Sequence, residues 1–265
     1  MHVKAPDRVY SSGLGSAKAF YGESLEDTLR QCRREGFRAS FMPQLADMRI
    51  EAPEDALVWD KAGYETLSLR VTNTTRRATN TTRQGSVVAV YAHIPNYCSH
   101  PKNVHKTEEP GLFGIDNGAG IMPEREFYDL LERRDNENVF VVEYKHPSRV
   151  KWLSCRVLKL KKALDDPEVI AILGGRERTE NYLDAHRRIH GEKIGVFLKH
   201  DISGTVPLWR PLHFGSFYSS EDGAVSSIGD YSVGGYARII GLRNENPQQG
   251  EAPGGLENTA VSPWG

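Results

Sequence analysis

Residues 86–93 read SVVAVYAH, and this nearly continuous apolar run decides the predicted architecture of the chain. Such a run is typical of a central strand that is covered on both faces. Upstream, residues 65–72 read ETLSLRVT, where Leu67, Leu69 and Val71 alternate with polar neighbours as in a half-buried strand. The two stretches therefore predict two strands, joined by the residues between them.

The segment between these strands contains the clearest repeat in the sequence. Residues 72–85 read TNTTRRATNTTRQG, in which Thr-Asn-Thr-Thr-Arg occurs twice. Two such short copies cannot form a packed solenoid layer, and polar Thr and Asn suit a surface connection. We predict a long antiparallel connection. A phosphate-binding loop remains the alternative, and its forked donors would be Arg70, Arg76, Arg77 and Arg83.

Downstream of residue 93, helical and strand-like patterns alternate. Residues 138–145 (NVFVVEYK), 168–175 (EVIAILGG) and 193–201 (KIGVFLKHD) are apolar enough to form buried strands. Helical patterns cover residues 123–134, 148–166 and 179–191. Four apolar strands separated by three helices indicate right-handed βαβ units. The predicted fold class is therefore α/β, a Rossmann-like, mostly parallel sheet with flanking helices.

Pattern and composition divide the chain into four sections. Residues 1–65 are predicted to be an N-terminal helical section, and residues 66–201 the α/β core. Residues 202–243 are rich in Gly, Ser and aromatic residues, which predicts an irregular cap with one strand, GGYARIIGL. Residues 244–265 are predicted to be a polar tail.

Charge and composition argue against several classes of protein. With 34 Lys plus Arg against 35 Asp plus Glu, the formal net charge of −1 gives no general attraction to nucleic acid or to an anionic membrane. No stretch approaches the length of about 18 apolar residues that spans a bilayer, and the cysteines form no CxxC pair. We expect a cytoplasmic protein without a membrane partner. Nucleic acid lacks support from net charge, and the oligomeric state stays open.

The predicted site lies at the carboxyl ends of the strands, because ligands bind at that edge of open α/β sheets. His93 and Glu143 have priority, since each is a polar residue at the end of an apolar strand. The predicted catalytic residues are His93, Glu143, Lys145 and Asp201. The predicted substrate-binding residues are Asn96, Arg176 and His200, and the predicted metal ligands are Asp116, Glu143 and His100. A divalent cation is the cofactor that these ligands would suit.

Asp116, followed by Glu143-Tyr144-Lys145 on an apolar strand, resembles the metal-binding signature of the PD-(D/E)xK nucleases. The resemblance implies that Asp116 and Glu143 hold a divalent cation and that Lys145 helps to position the attacking water. The chain departs from that family because a predicted helix at 123–134 separates the two motifs.

The functional prediction is an intracellular α/β hydrolase, in which Lys145 and Arg176 hold a small-molecule, anionic or phosphate-containing substrate. Two alternatives stand beside it. One is a PD-(D/E)xK-like nuclease, and the other is a non-catalytic ligand-binding or assembly protein. Convergence of three or more of the predicted side chains would favour the enzyme, and their scatter over the surface would favour the binding protein.

Overall fold

A computed structural model describes residues 10–12, 15–59, 63–76, 85–94, 119–134, 136–144, 153–199, 206–230 and 237–243. The helices are α1 (Leu25–Arg34), α2 (Met42–Glu51), α3 (Glu124–Glu132), α4 (Leu160–Ala163), α5 (Pro167–Leu173) and α6 (Arg176–His190). The first strands are β1 (Tyr10–Ser12), β2 (Gly15–Gly22), β3 (Arg38–Ala39), β4 (Tyr64–Arg76), β5 (Gly85–Ala92) and β6 (Gly120–Ile121). The later strands are β7 (Val139–Tyr144), β8 (Leu153–Lys159), β9 (Lys193–Lys199), β10 (Leu208–Ser219), β11 (Gly223–Asp230) and β12 (Ala237–Arg243).

Strands β4 and β5 form the antiparallel hairpin at the centre of the sheet. Their pairing runs from Leu69 opposite Ala92 to Arg76 opposite Gly85. Every side chain from 87 to 92 is buried, which confirms the prediction of a central strand. The first copy of the repeat, residues 72–76, belongs to β4 and not to the connection. The second copy, residues 79–83, lies outside the described residues.

The sheet is mostly antiparallel, and the predicted Rossmann-like parallel sheet is wrong. Its order is β1-β2-β12-β4-β10-β11-β9-β8, with β5 on β4 and β7 on β5. Among the described strands, only β9–β11 and β4–β12 pair in parallel, and the second of these pairs consists of a single bridge. Strand β7 runs antiparallel to β5, the neighbour to which the prediction had joined it by a parallel crossover. An apolar run is equally compatible with either strand direction, so it could not decide between them.

Within residues 153–175, a strand forms where a helix was predicted, and a helix forms where a strand was predicted. In the segment 148–166, which was predicted to be a helix, residues 153–159 form β8, and β8 pairs with β9 along its whole length. Only residues 160–163 of that segment are helical, as α4. The segment predicted as a strand forms α5, which starts at Pro167. The side chain of Asp166 accepts from the backbone N–H of Glu168 and Val169, and Gly174 ends the helix with a φ of 78°. Asp-Pro before the apolar run and Gly after it are helix signals that outweigh β-branched composition here.

Strands β10, β11 and β12 replace the predicted irregular cap. The predicted GGYARIIGL strand, residues 234–242, is confirmed in its described part, residues 237–242, which belongs to β12, and β12 pairs with β2 over seven residues. Strand β2 lies in the section that was predicted to be helical, so the two ends of the described chain meet in one sheet. The helices predicted in that section are confirmed as α1 and α2, with Ser24 accepting from Asp27 N as the cap of α1.

Helices cover both faces of the sheet and give two cores. On the face that we call the α6 face, α2, α5 and α6 pack against Ala89 and Tyr91 of β5. On the opposite face, which we call the α1 face, α1 and α3 pack against Val88 and Val90. Successive residues of a strand point to opposite faces, so both faces of β5 are buried.

A buried polar network crosses the α6 face of the sheet. The Arg70 guanidinium donates through one nitrogen to Asp230 Oδ2 at 2.8 Å and to the Lys199 carbonyl oxygen at 2.7 Å. Its Nε donates to the Tyr91 hydroxyl at 3.1 Å. Asp230 Oδ1 in turn accepts from the Lys199 N–H at 2.9 Å. Burial raises the pKa of Asp230, and the guanidinium of Arg70 opposes that rise.

A second carboxylate forms a hydrogen bond between β4 and β12. Glu65 lies opposite Ile239, and its Oε2 accepts from the Arg238 N–H at 2.7 Å. Burial raises the pKa of Glu65 from its ordinary value to about 7, although the bond from Arg238 opposes the rise. The ionised side chain therefore destabilises the fold relative to the neutral one.

We predict that Arg70→Met lowers the free energy of unfolding by about 3–5 kcal/mol, because it leaves the Asp230 carboxylate buried without its partner. Asp230→Asn in the same chain removes that charge but keeps an oxygen for the Lys199 N–H. The double variant should therefore regain most of the loss. Urea unfolding of the wild type, both single variants and the double variant measures the coupling. Strictly additive losses would show that the two charges do not depend on each other.

We predict that Glu65→Gln stabilises the protein at about pH 8 by about 1–3 kcal/mol and has little effect at about pH 4. The folded pKa of Glu65 lies above the unfolded one, so its neutral form favours the fold. This contribution is full at low pH and is lost as the pH rises towards the folded pKa. Gln keeps the neutral oxygen that accepts from Arg238. Thermal unfolding measured across this range should show the two stability curves separating, and parallel curves would contradict the prediction.

Candidate functional site

Most of the predicted site residues lie outside the described residues. These are Asn96, His100, Asp116, Lys145, His200 and Asp201, and their roles stay predictions. The structure describes His93, Glu143 and Arg176, so those three positions can be located.

His93 and Glu143, the two residues given priority, lie on opposite faces of the sheet. Val88 is opposite Glu143 in the β5–β7 ladder, and both residues belong to the α1 face. His93 follows β5 on the face of Ala89 and Tyr91. Glu143 is exposed, whereas His93 is buried. The sheet therefore separates the two groups, and they do not form an acid–base pair.

His93 is a junction in the core of the α6 face. Its Nε2 lies 2.8 Å from the Ala171 carbonyl oxygen, and its Nδ1 lies 2.8 Å from Ser68 Oγ. A carbonyl oxygen only accepts, so Nε2 carries the hydrogen and Nδ1 accepts from the serine. Burial lowers the pKa of His93 to about 4, with a smaller contribution from Arg178. The ring is therefore neutral at physiological pH.

A cleft of about 620 Å³ opens beside this junction, between α2, the start of β7 and the turn from α5 to α6. The lining is polar except for one aromatic ring. It consists of Asp47, Glu137, Asn138, Phe140, Gly174, Gly175, Arg176, Glu177, Arg178 and Asn181. Arg176, which was predicted to bind substrate, is one of these residues. The other lining residues were not among the predicted site residues.

The two glycines shape the floor of the cleft. Gly174 and Gly175 have φ angles of 78° and 120°, which side chains other than glycine rarely adopt. A Cβ on Gly174 would lie 2.6 Å from Pro43 Cγ. A Cβ on Gly175 would meet only Phe140 Cζ, at 4.0 Å. The turn therefore packs tightly against α2 on one side and faces the half-buried Phe140 ring on the other. A Gly-Gly pair after an apolar run was the sequence signal for this turn.

Ion pairs hold both guanidinium groups of the cleft. Arg178 Nε donates to Asp47 Oδ1 at 2.7 Å, and its NH1 donates to the Gly174 carbonyl oxygen at 2.6 Å. Arg176 donates to Asp165 Oδ1 at 2.9 Å. Within the described part of the chain, Glu137 and Glu177 form no ion pair. The cleft therefore offers carboxylate oxygens without an ion pair among the described residues, beside two guanidinium groups that already have carboxylate partners.

The described residues contain no group of three or more His, Cys, Asp or Glu side chains arranged to hold a metal ion. The described residues therefore give no support to the expectation of a metal-binding protein. Glu143, the one predicted ligand that is described, is exposed on the α1 face. Among the described residues, no helix is long and apolar enough to cross a membrane.

Comparison with known proteins gives one informative match. No family model matches the sequence, and no curated protein matches it significantly. One solved structure does match, and its report describes the accommodation of massive sequence variation in Nanoarchaeota by the C-type lectin fold. The TM-score is 0.66, with 33% sequence identity over 86% of this chain and 97% of that chain.

This match overturns the prediction of a hydrolase, and with it the PD-(D/E)xK alternative. The matched structure has a C-type lectin fold, which supports a non-enzymatic binding fold and not a Rossmann-like enzyme. The separation of His93 from Glu143 by the sheet agrees with this correction. With 33% identity over nearly all of the matched chain, the protein belongs to the same family as this C-type lectin-fold protein.

Proposed function

We propose that the protein is a non-catalytic ligand-binding protein and that its ligand occupies the cleft between α2, β7 and α6. The observation that carries this proposal is the cleft itself, whose volume of about 620 Å³ falls in the usual range of ligand sites. The C-type lectin fold of the matched structure supports binding as the function. The binding alternative drawn from the sequence is thus the better supported one.

We further propose that the ligand is a neutral, polyhydroxylated molecule, that is, a carbohydrate. The amides of Asn138 and Asn181 and the carboxylates of Glu137 and Glu177 offer paired donors and acceptors. Such planar groups bind neighbouring hydroxyl groups, and the half-buried Phe140 ring, which lines the cleft, offers an apolar surface. Charge supports a neutral ligand, because three lining carboxylates nearly balance two guanidinium groups.

A phosphate-containing ligand is the second candidate. Arg176 and Arg178 lie beside the glycine turn, and guanidinium groups bind phosphate well. Both groups already have carboxylate partners, and Glu177 lies between them in the sequence. An anion would therefore compete with existing ion pairs and meet a free carboxylate. The carbohydrate needs no such rearrangement, so we favour it.

We predict that neutral saccharides shift the backbone amide signals of the cleft residues and that inorganic phosphate does not. The probes are glucose, mannose, galactose and N-acetylglucosamine, titrated into the labelled protein and followed by NMR. Glu177→Gln should weaken saccharide binding by about tenfold, since a hydrogen bond to a charged acceptor contributes about 1.5–3 kcal/mol. Asn181→Ala should weaken saccharide binding more than Glu177→Gln does.

Glu180→Gln is the matched control for Glu177→Gln. It removes a carboxylate from an exposed position on the same helix that does not line the cleft, so the affinity should not change. Shifts caused by phosphate alone would replace the carbohydrate with an anionic ligand. If neither probe moves the cleft signals, or if both variants weaken binding equally, the cleft is not the binding site.

A further inference from the structure

We propose that His93 is the positioning residue of the cleft, and that it holds the three walls formed by β7, α5 and α2 at the separation that a ligand requires. This inference rests on the proposed function, because it concerns the walls of the same cleft. His93 is buried and does not line the cleft. It acts through the residues that do, and each wall has its own contact with it.

His93 holds the β7 wall by two contacts. Its backbone N–H donates to the Asn138 carbonyl oxygen at 2.9 Å, just before β7 begins. Its ring lies against Phe140, with centroids 5.8 Å apart and planes inclined by 60°. Asn138 and Phe140 both line the cleft. The contacts therefore set the backbone at the start of β7 and the tilt of the aromatic ring that faces the ligand.

His93 holds the α5 wall through one hydrogen bond. Nε2 donates to the Ala171 carbonyl oxygen at 2.8 Å. Ala171 lies in the last turn of α5, which ends at the Gly174 cap. The Gly175 N–H closes that turn by donating to the Ile170 carbonyl oxygen at 2.9 Å. A bond to Ala171 therefore fixes the turn from which both floor glycines follow.

His93 holds the α2 wall through Ser68. The Ser68 hydroxyl donates to His93 Nδ1 at 2.8 Å. The same oxygen accepts from the Met42 N–H at 2.8 Å, at the start of α2. Asp47, one turn further along α2, lines the cleft and pairs with Arg178. Ser68 thus connects the imidazole of His93 to the start of α2, the helix that carries Asp47.

Imidazole suits this junction because its two nitrogens have different roles. One nitrogen must donate to a carbonyl, and the other must accept from a hydroxyl whose oxygen is already used as an acceptor. A side chain with one polar group can satisfy only one of these partners. The ring also supplies the flat surface against Phe140. Variants of His93 that keep one of these hydrogen bonds and lose the other can therefore show what each bond contributes.

The test compares His93→Gln with His93→Asn. Gln can place its amide near the position of Nε2 and keep the bond to Ala171, whereas Asn reaches only the position of Nδ1. We expect amide hydrogen exchange at Gly175 to be about tenfold faster in His93→Asn and closer to the wild-type rate in His93→Gln. Ser68→Ala should instead change the exchange of Met42, and it keeps the test informative if His93→Asn does not fold.

His186→Asn is the matched control. His186 is a buried imidazole whose Nε2 lies 3.0 Å from the Lys193 carbonyl oxygen, and it does not line the cleft. This variant loses one comparable bond, so global stability should fall while the amide signals of the cleft stay unchanged. Cleft signals that move equally in His186→Asn and His93→Asn would overturn the positioning role.

Saccharide titration of the same variants separates this inference from the proposed function. With a wild type that binds a saccharide of the panel, His93→Asn should weaken binding about tenfold more than His186→Asn does. Equal affinities would overturn the positioning role and leave the proposed function intact. With a wild type that binds none of the saccharides, the proposed function fails. The exchange of Gly175 and Met42 then decides alone whether His93 sets the walls.

Discussion

The fold depends on the pairing of Arg70 with Asp230 beneath the α6 face. A buried guanidinium is tolerated only with a charged partner and with acceptors for its remaining donors. Arg70 finds these on three other strands, in Tyr91, Lys199 and Asp230. Strand β10 lies between β4 and β11, so the ion pair reaches across one complete strand. Backbone pairing fixes neighbouring strands only, whereas this contact also fixes strands that are not neighbours.

The same network continues from the sheet to α5, and through α5 to the cleft. Glu168 accepts from the Tyr91 hydroxyl at 3.4 Å and pairs with Arg156 of β8. It also accepts from the Tyr144 hydroxyl at the end of β7. One carboxylate in the first turn of α5 thus joins three strands, and His93 binds the last turn of the same helix. Because both ends of α5 are held by buried polar contacts, the glycine turn behind it has a defined position relative to the sheet.

The sequence predicted the local elements better than their arrangement. The β4–β5 hairpin, β9 and four of the helices follow from periodicity and caps, which are local properties. Strand direction depends on pairing between distant segments, and the apolar runs did not contain that information. Strands β10 and β11 were missed because glycine weakens strand patterns, yet Gly229 is required in β11: a Cβ would lie 1.8 Å from the Phe197 carbonyl oxygen. In the cleft, Arg176 and the glycine pair had a sequence signal, whereas Asp47 and Phe140 come from remote elements.

The residues that hold the fold and the residues that line the cleft are largely separate sets. Arg70, Asp230 and His93 are buried, and substitution of such residues leaves partners unsatisfied at a cost of several kcal/mol. Glu137, Glu177 and Asn181 are exposed, and substitutions at such positions usually change stability by less than about 0.5 kcal/mol. Substitutions can therefore change the chemistry of the cleft while the buried residues that hold the fold stay the same.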